Sequence, residues 1–320
     1  MGQVGERWRK KGVYVCKRKI NIKYMSTIIQ FMHPGTEHSI SSGTNWNTGD
    51  HKRKYLKIQG EYLDNFLIKP KCDTVYFWGE WEAQSEATPI DNNDSDLPKN
   101  IFSPYYKLPS GTPNTDPFVF GNNFYYCVCK QGHYPSLRNL NKGDIILFGS
   151  SKHDNFVLDT LFVVKGCYEY ELNEIPKLKT KYNKPFFDVS LEPLHNYFCV
   201  PAITIVNTNG SCLPQNSNED DERKPSVEVT KYRIYEAAMF EDRHDFNGIF
   251  SYAPCMSAEK GAKGFKRPII KDCDFITENQ RQGLKITPNS DSLKVWNEVT
   301  KQVLEHGLNL LIKTDLPTIK

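Results

Sequence analysis

The chain has 320 residues, of which 38% are hydrophobic, 12% aromatic and 25% charged. That composition suits a globular protein with a sizeable core and excludes a disordered or fibrous chain. No apolar run approaches the roughly 20 residues needed to span a bilayer, and the start shows neither an apolar signal core nor a small-residue cleavage site, so a soluble cytoplasmic protein without a membrane partner is expected.

The 41 Lys and Arg against 38 Asp and Glu give a net charge of +3, unevenly spread. Residues 1–24 hold eight basic residues and one acid, so the rest of the chain sums to −4. This leader is expected to be a flexible basic arm outside the fold; the functional alternative is a nucleic-acid-binding arm. The nine cysteines lack a repeating spacing, which fits reduced thiols and no zinc framework.

In chain order, STIIQFM (26–32) reads as a strand, followed by a polar loop over 33–51. HKRKYLKIQGEYLD (51–64) is open between strand and short helix. TVYFWGEWE (74–82) is a strand whose alternation puts Trp78, Glu80 and Glu82 on one face and Phe77, Gly79 and Trp81 on the other. Residues 88–117 are rich in Pro, Asp, Asn and Ser and predict a long irregular excursion. FVFGNNFYYCVCK (118–130) reads as strand material. LRNLNKGDIILFGSS (137–151) places a Lys-Gly-Asp turn before an apolar run, which is expected to pair with FVLDTLFVVKGCYEY (156–170). After a further β-like stretch at 196–206, the polar, acidic segment 207–226 predicts a mobile surface loop. The one clear helix is the last. Ser290, Asp291 and Ser292 are its N-cap candidates, Leu293, Trp296, Val299 and Val303 its apolar stripe, and Gly307 its C-terminal stop. No internal repeat is present.

The turn and strand from Lys142-Gly143-Asp144 to Ser150, with the partner Phe156 to Lys165, resembles the PUA-like superfamily, in particular its EVE and ASCH branches, over about residues 25–170. The resemblance implies an elaborated PUA-like β-barrel over 25–170; the fold expected for the whole chain is α+β and β-rich, with 171–320 packed against that barrel and ending in a helix. It also implies a pocket at the barrel mouth that holds a single, often modified, nucleobase from nucleic acid.

The residues offer chemistry of the same kind. A tryptophan provides a stacking face for a base, and a glutamate accepts hydrogen bonds from exocyclic amines, so Trp78 with Glu80 would read a base taken out of its stack. The other reading of that face is exposed acids beside a half-buried indole. His33, Glu37 and His38 occupy the loop after the first strand; without the H-E-x-x-H helix they do not spell a metal site. Arg53 and His51 share one face of the next segment, Lys52 and Lys54 the other, with Trp46 and Tyr55 beside them. Arg267 next to Phe265 suits a phosphate. The ligand-binding candidates are therefore His33, Glu37, Trp46, Arg53, Trp78, Ser150 and Arg267. If the protein is an enzyme, a hydrolase or transferase acting on a nucleotide or glycosidic bond, then Glu80 and Glu82 with His38 or His33 supply acid and base. A Cys255–His244 thiol pair is the least favoured alternative. No phosphate-binding loop, dinucleotide fingerprint or G-x-S-x-G elbow occurs, and no cofactor is implied. The expected partner is a nucleotide or nucleic acid.

Overall fold

Apolar residues on consecutive positions of a strand mark burial on both faces, and several segments of this chain have that character. A computed structural model describes residues 25–40, 52–64, 69–107, 114–194, 231–278 and 283–320. The expectations for the basic leader, for the loop 207–226 and for Trp46 and His51 lie outside these residues.

Two β-sheets dominate. The first has the order β12-β1-β7-β8-β9-β6, with β11 added beside β8. Its strands are β1 (Met25–His33), β6 (Tyr125–Tyr126), β7 (Ile145–Lys152), β8 (Asn155–Tyr170), β9 (Tyr232–Ala237), β11 (Ile269–Ile270) and β12 (Gly283–Asp291). Strands β1 and β7 run parallel; the other pairs are antiparallel. The expected pairing of 145–151 with the strand after it is present. His153 and Asp154 join the two strands with φ of 49° and 60°, the conformation that a two-residue hairpin turn demands.

The second sheet has the order β13-β10-β3-β2-β5-β14, with β4 on β5. Its strands are β2 (Arg53–Leu63), β3 (Lys71–Glu80), β4 (Ser85–Pro89), β5 (Asn100–Tyr106), β10 (Ala253–Ser257), β13 (Asn309–Thr314) and β14 (Thr318–Ile319). Because β13 pairs with β2 as well as β10, strands β2, β3, β10 and β13 close into a four-stranded antiparallel barrel. Gly60 stands at the closure: a Cβ there would sit 2.7 Å from the Lys313 carbonyl oxygen, so only a residue without a side chain lets the strands approach this closely. Both sheets draw strands from either side of residue 170, and the barrel is completed by strands near the C-terminus. A boundary at 170 therefore does not separate the sheets.

Alternation along each strand feeds two cores. On β1, Ile29 and Phe31 join one cluster while Ile28 and Met32 join the other; on β3, Val75 and Phe77 part from Tyr76 and Trp78 in the same way. The Lys-Gly-Asp turn has a structural use. Gly143 takes φ +89°, and the Asp144 carboxylate accepts from the Thr27 and Asn141 amides at 2.7 Å each, tying the start of β7 to that of β1.

The C-terminal helix (Ser292–Glu305) is capped by the Asp291 side chain, which accepts from the Lys294 amide at 3.1 Å. Its buried stripe is Val295, Trp296, Val299 and Val303. Leu293, expected in that stripe, is exposed. Three other expectations are corrected. Of 118–130 only Tyr125–Tyr126 is strand, since Asp116, not a ladder, satisfies the amides of Cys127, Val128 and Cys129. The excursion 88–117 contains β5 and the end of β4. Strand β3 stops at Glu80, so Glu82 does not continue its alternation. Among the described residues no helix is long and apolar enough to cross a membrane.

Candidate functional site

Strand ends meet where the charged residues are. In the parallel pair β1/β7, His33 lies beside Ser150; in the antiparallel pair β2/β3, Arg53 lies beside Glu80. The loop leaving β1 then docks on the start of β2: Arg53 N donates to Thr36 O at 2.9 Å and His38 N to Arg53 O at 2.8 Å. Strand β8 adds Asp159. The segment before β11 adds Arg267, held in place by the Leu158 amide donating to Pro268 O at 3.0 Å.

These residues form a buried knot of charges. Arg53 Nη1 donates to Glu80 Oε2 at 2.7 Å and Arg53 Nε to Asp159 Oδ2 at 2.8 Å. Arg267 Nη1 donates to Ser150 Oγ at 3.1 Å and stands 3.6 Å from Asp159 Oδ1, while Nη2 donates to Gly35 O at 2.5 Å. Arg267 is the most exposed of the set, at 6%. Burial works against both guanidinium charges, with different outcomes. Around Arg53 the two carboxylates outweigh it and hold the guanidinium above its ordinary range. Arg267 is pulled below its ordinary range, because burial, with the Arg53 charge adding to it, exceeds the attraction of Asp159.

Trp78 supports this knot; it is not an open stacking plate. Its indole Nε1 donates to Phe265 O at 2.9 Å, its ring carries the Arg267 guanidinium at 5.3 Å from the centroid, and Tyr55 packs against it with centroids 5.3 Å apart. Trp81 is buried as well, in the other core.

His33 extends the knot toward a thiol. Its Nδ1 is 4.0 Å from Glu80 Oε2 and its Nε2 is 3.3 Å from Cys129 Sγ. Beyond Cys129 lies Asp116, whose carboxylate accepts from the amides of Cys127 at 2.9 Å and of Val128 and Cys129 at 2.7 Å each. Burial pushes Asp116 up to about 7 despite those bonds.

The remaining candidates are placed elsewhere. The Glu37 carboxylate accepts from the amides of Lys99 and Asn100 at the start of β5. His38 packs edge-on against Phe102. Glu82 does not pair with Glu80: its Oε2 accepts from the Asn114 amide at 2.7 Å, and its charge acts on Lys54. Lys54 is itself buried, with Nζ donating to Ala83 O at 2.9 Å and to Ser85 Oγ at 3.0 Å. Cys255 is buried on β10 while His244 is exposed, so no thiol pair forms there.

The structure therefore brings His33, Arg53, Trp78, Glu80, Ser150 and Arg267 together and leaves Glu37, His38 and Glu82 outside. Asp159, Cys129 and Asp116 were missed by sequence reasoning. An acid within the apolar run FVLDTLFVV was the available signal for Asp159, because a carboxylate inside such a strand needs a buried partner. Separately, a cleft of about 380 Å³ beside the C-terminal helix is lined by Asp272, Asp274, Asp291 and Glu298 with Lys294, and shares no residue with the knot. Among the described residues no group of three or more His, Cys, Asp or Glu side chains is placed to hold a metal ion. No protein-family model, curated protein or solved structure matches this chain.

Proposed function

We propose that the protein recognises a nucleotide or a single extruded nucleobase of a nucleic acid, and that the knot of Arg53, Glu80, Asp159 and Arg267 is its reading element. The observation that carries this reading is the convergence of two guanidinium groups and two carboxylates on one meeting point of strand ends. Burying an ion costs several kcal/mol even after relaxation, and such concentrations of perturbed charge cluster at functional sites. The chemistry suits the ligand. A guanidinium presents a planar fork of donors that fits phosphate or the acceptor edge of a base, and a carboxylate accepts from an exocyclic amine. The resemblance of the Lys142–Ser150 strand to PUA-like domains agrees with this reading.

The test is a titration of the full chain with ribo- and deoxyribonucleoside monophosphates and with short single-stranded oligonucleotides, followed by tryptophan fluorescence. Saturable binding is expected, weakened by about 1–3 kcal/mol in Arg267→Met. No saturation with any of these probes would remove the reading.

A second reading is favoured by the place of His33 between Glu80 and Cys129: a hydrolase or transferase acting on a nucleotide or glycosidic bond. Glu80→Gln then abolishes product while leaving binding nearly intact, whereas in a pure binder the same change weakens binding.

A further inference from the structure

We propose that Cys129 is a nucleophile toward ester or thioester carbonyls, with His33 as its general base and Glu80 as the residue that positions His33. The inference goes beyond the recognition reading and needs no nucleotide.

Three features support it. The first is the order of groups: thiol, imidazole and carboxylate stand in sequence at 3.3 Å and 4.0 Å, which is the arrangement of nucleophile, base and orienting group that activates a thiol. The Glu80 carboxylate lies beyond hydrogen-bond reach of Nδ1, at 4.0 Å, and acts through its charge, which favours the tautomer with its proton on Nδ1 and leaves the Nε2 lone pair for the thiol proton. The second is rigidity. The His33 ring is stacked on Phe148, with planes 9° apart, and packs against Phe31 at 4.6 Å, while Arg53 anchors the Glu80 carboxylate at 2.7 Å. The third is the contrast with the other described cysteines. Cys127 and Cys255 are buried, Cys273 donates to the Lys271 carbonyl and faces Glu298, and Cys72 and Cys167 are exposed. Cys129 alone among them faces an imidazole; its residue is partly open to solvent although the thiol itself is buried.

Burial, Asp116 and Glu80 push the Cys129 thiol well up, against the Lys130 ammonium, which lowers it. The group therefore rests as S–H, and the proton must leave as the new bond forms. In the step, the Sγ–H proton passes to His33 Nε2 while Sγ bonds to the carbonyl carbon and the π electrons move to oxygen. Collapse of that adduct breaks the bond to the leaving alcohol or thiol, which takes the proton back from His33. Water then repeats the sequence on the thioester, releasing a carboxylic acid and restoring Cys129 S–H. The substrate class follows from a missing donor. The Cys129 amide, the usual partner of the developing oxyanion, is committed to Asp116 Oδ2, and losing one such donor costs about 10²–10³ in rate. Reactive esters and thioesters tolerate that loss better than amides do.

The test treats the full chain with p-nitrophenyl acetate, follows p-nitrophenolate release and maps acetyl groups by peptide mass spectrometry. Acetylation of Cys129 ahead of Cys72 and Cys167 is expected in the unmodified sequence. His33→Gln should slow it about 10²-fold or more without changing the rates at Cys72 and Cys167. Glu80→Gln should move the acid limb of the pH–rate profile to lower pH, because the carboxylate favours the protonated imidazole; a merely structural role would not move it. Acetylation of Cys72 and Cys167 as fast as Cys129, which needs no variant to observe, overturns the inference. So does an unchanged Cys129 rate in a folded His33→Gln chain. A failed nucleotide titration bears on the recognition reading alone.

Discussion

Arg53 and Lys54 are neighbours in sequence, both buried and both cationic, yet β2 sends them to opposite faces and their environments differ. Arg53 meets two carboxylates, one from β3 and one from β8, and is held more firmly charged than in water. Lys54 meets a carbonyl, a hydroxyl and the ring of Phe102, with Glu82 as the acid acting on it, and burial drives its ammonium well below the ordinary range. The lesson is that burial alone does not decide the state of a cation. A fork of donors matched to two acceptors keeps its charge, whereas burial outweighs the single acid acting on a compact ammonium and pushes it toward the free amine.

The largest effect expected from this contrast is that of Arg53→Met. It leaves Glu80 without its guanidinium and Asp159 with only that of Arg267, at 3.6 Å, and breaking a buried ion pair from one side costs about 3–5 kcal/mol; urea unfolding of the variant measures it. A loss below 1 kcal/mol, on the order of a surface pair, would show that the knot is solvated.

Asp116 gives the next effect, read as a slope against pH. Its folded value, pushed up to about 7, lies above the ordinary carboxylate value of 3.8. The folded state therefore keeps the proton longer than the unfolded state. Stability from this group is complete below about pH 4 and is lost as pH rises toward 7, at no more than about 1.4 kcal/mol per pH unit. Asp116→Asn, although less stable overall because its amide nitrogen meets amide donors, should show a flatter slope between pH 4 and 7. Parallel slopes would mean that Asp116 ionises normally.

Arg267→Lys sharpens the distinction between fork and point charge. The lysine keeps a positive charge but cannot reach Ser150, Gly35 and Asp159 together while lying over Trp78. A loss of about 1.5–3 kcal/mol is expected, the worth of charged hydrogen bonds, and an unchanged midpoint would show that charge alone suffices. Lys54→Met should be the mildest. A chain of similar volume replaces an amine that burial already drives toward neutrality, so the cost stays below about 1.5 kcal/mol. If it matched Arg53→Met, the contrast between the two neighbours would collapse.

What the sequence determined by itself is local. Two-residue alternation assigned Arg53 and Lys54 to opposite faces, and Trp78 with Glu80 to one face, because the pleat depends only on backbone geometry. The Lys-Gly-Asp turn, the hairpin of β7 with β8, and the Asp291 cap followed from side chains that act within a few residues. Even these rules failed where an element ended early: Glu82 left the face of Glu80 once the strand stopped. Tertiary structure decided everything that joins distant positions. Arg53 meets Asp159 across 106 residues, Arg267 meets Ser150 across 117, and His33 meets Cys129 across 96. No periodicity encodes such meetings, since they depend on which strand ends the sheet order brings side by side. The same order turned Trp78 from an expected stacking surface into the support of a guanidinium, and closed the barrel by pairing Leu310 with Leu63 and Cys255 with Phe77, strands far apart in the chain.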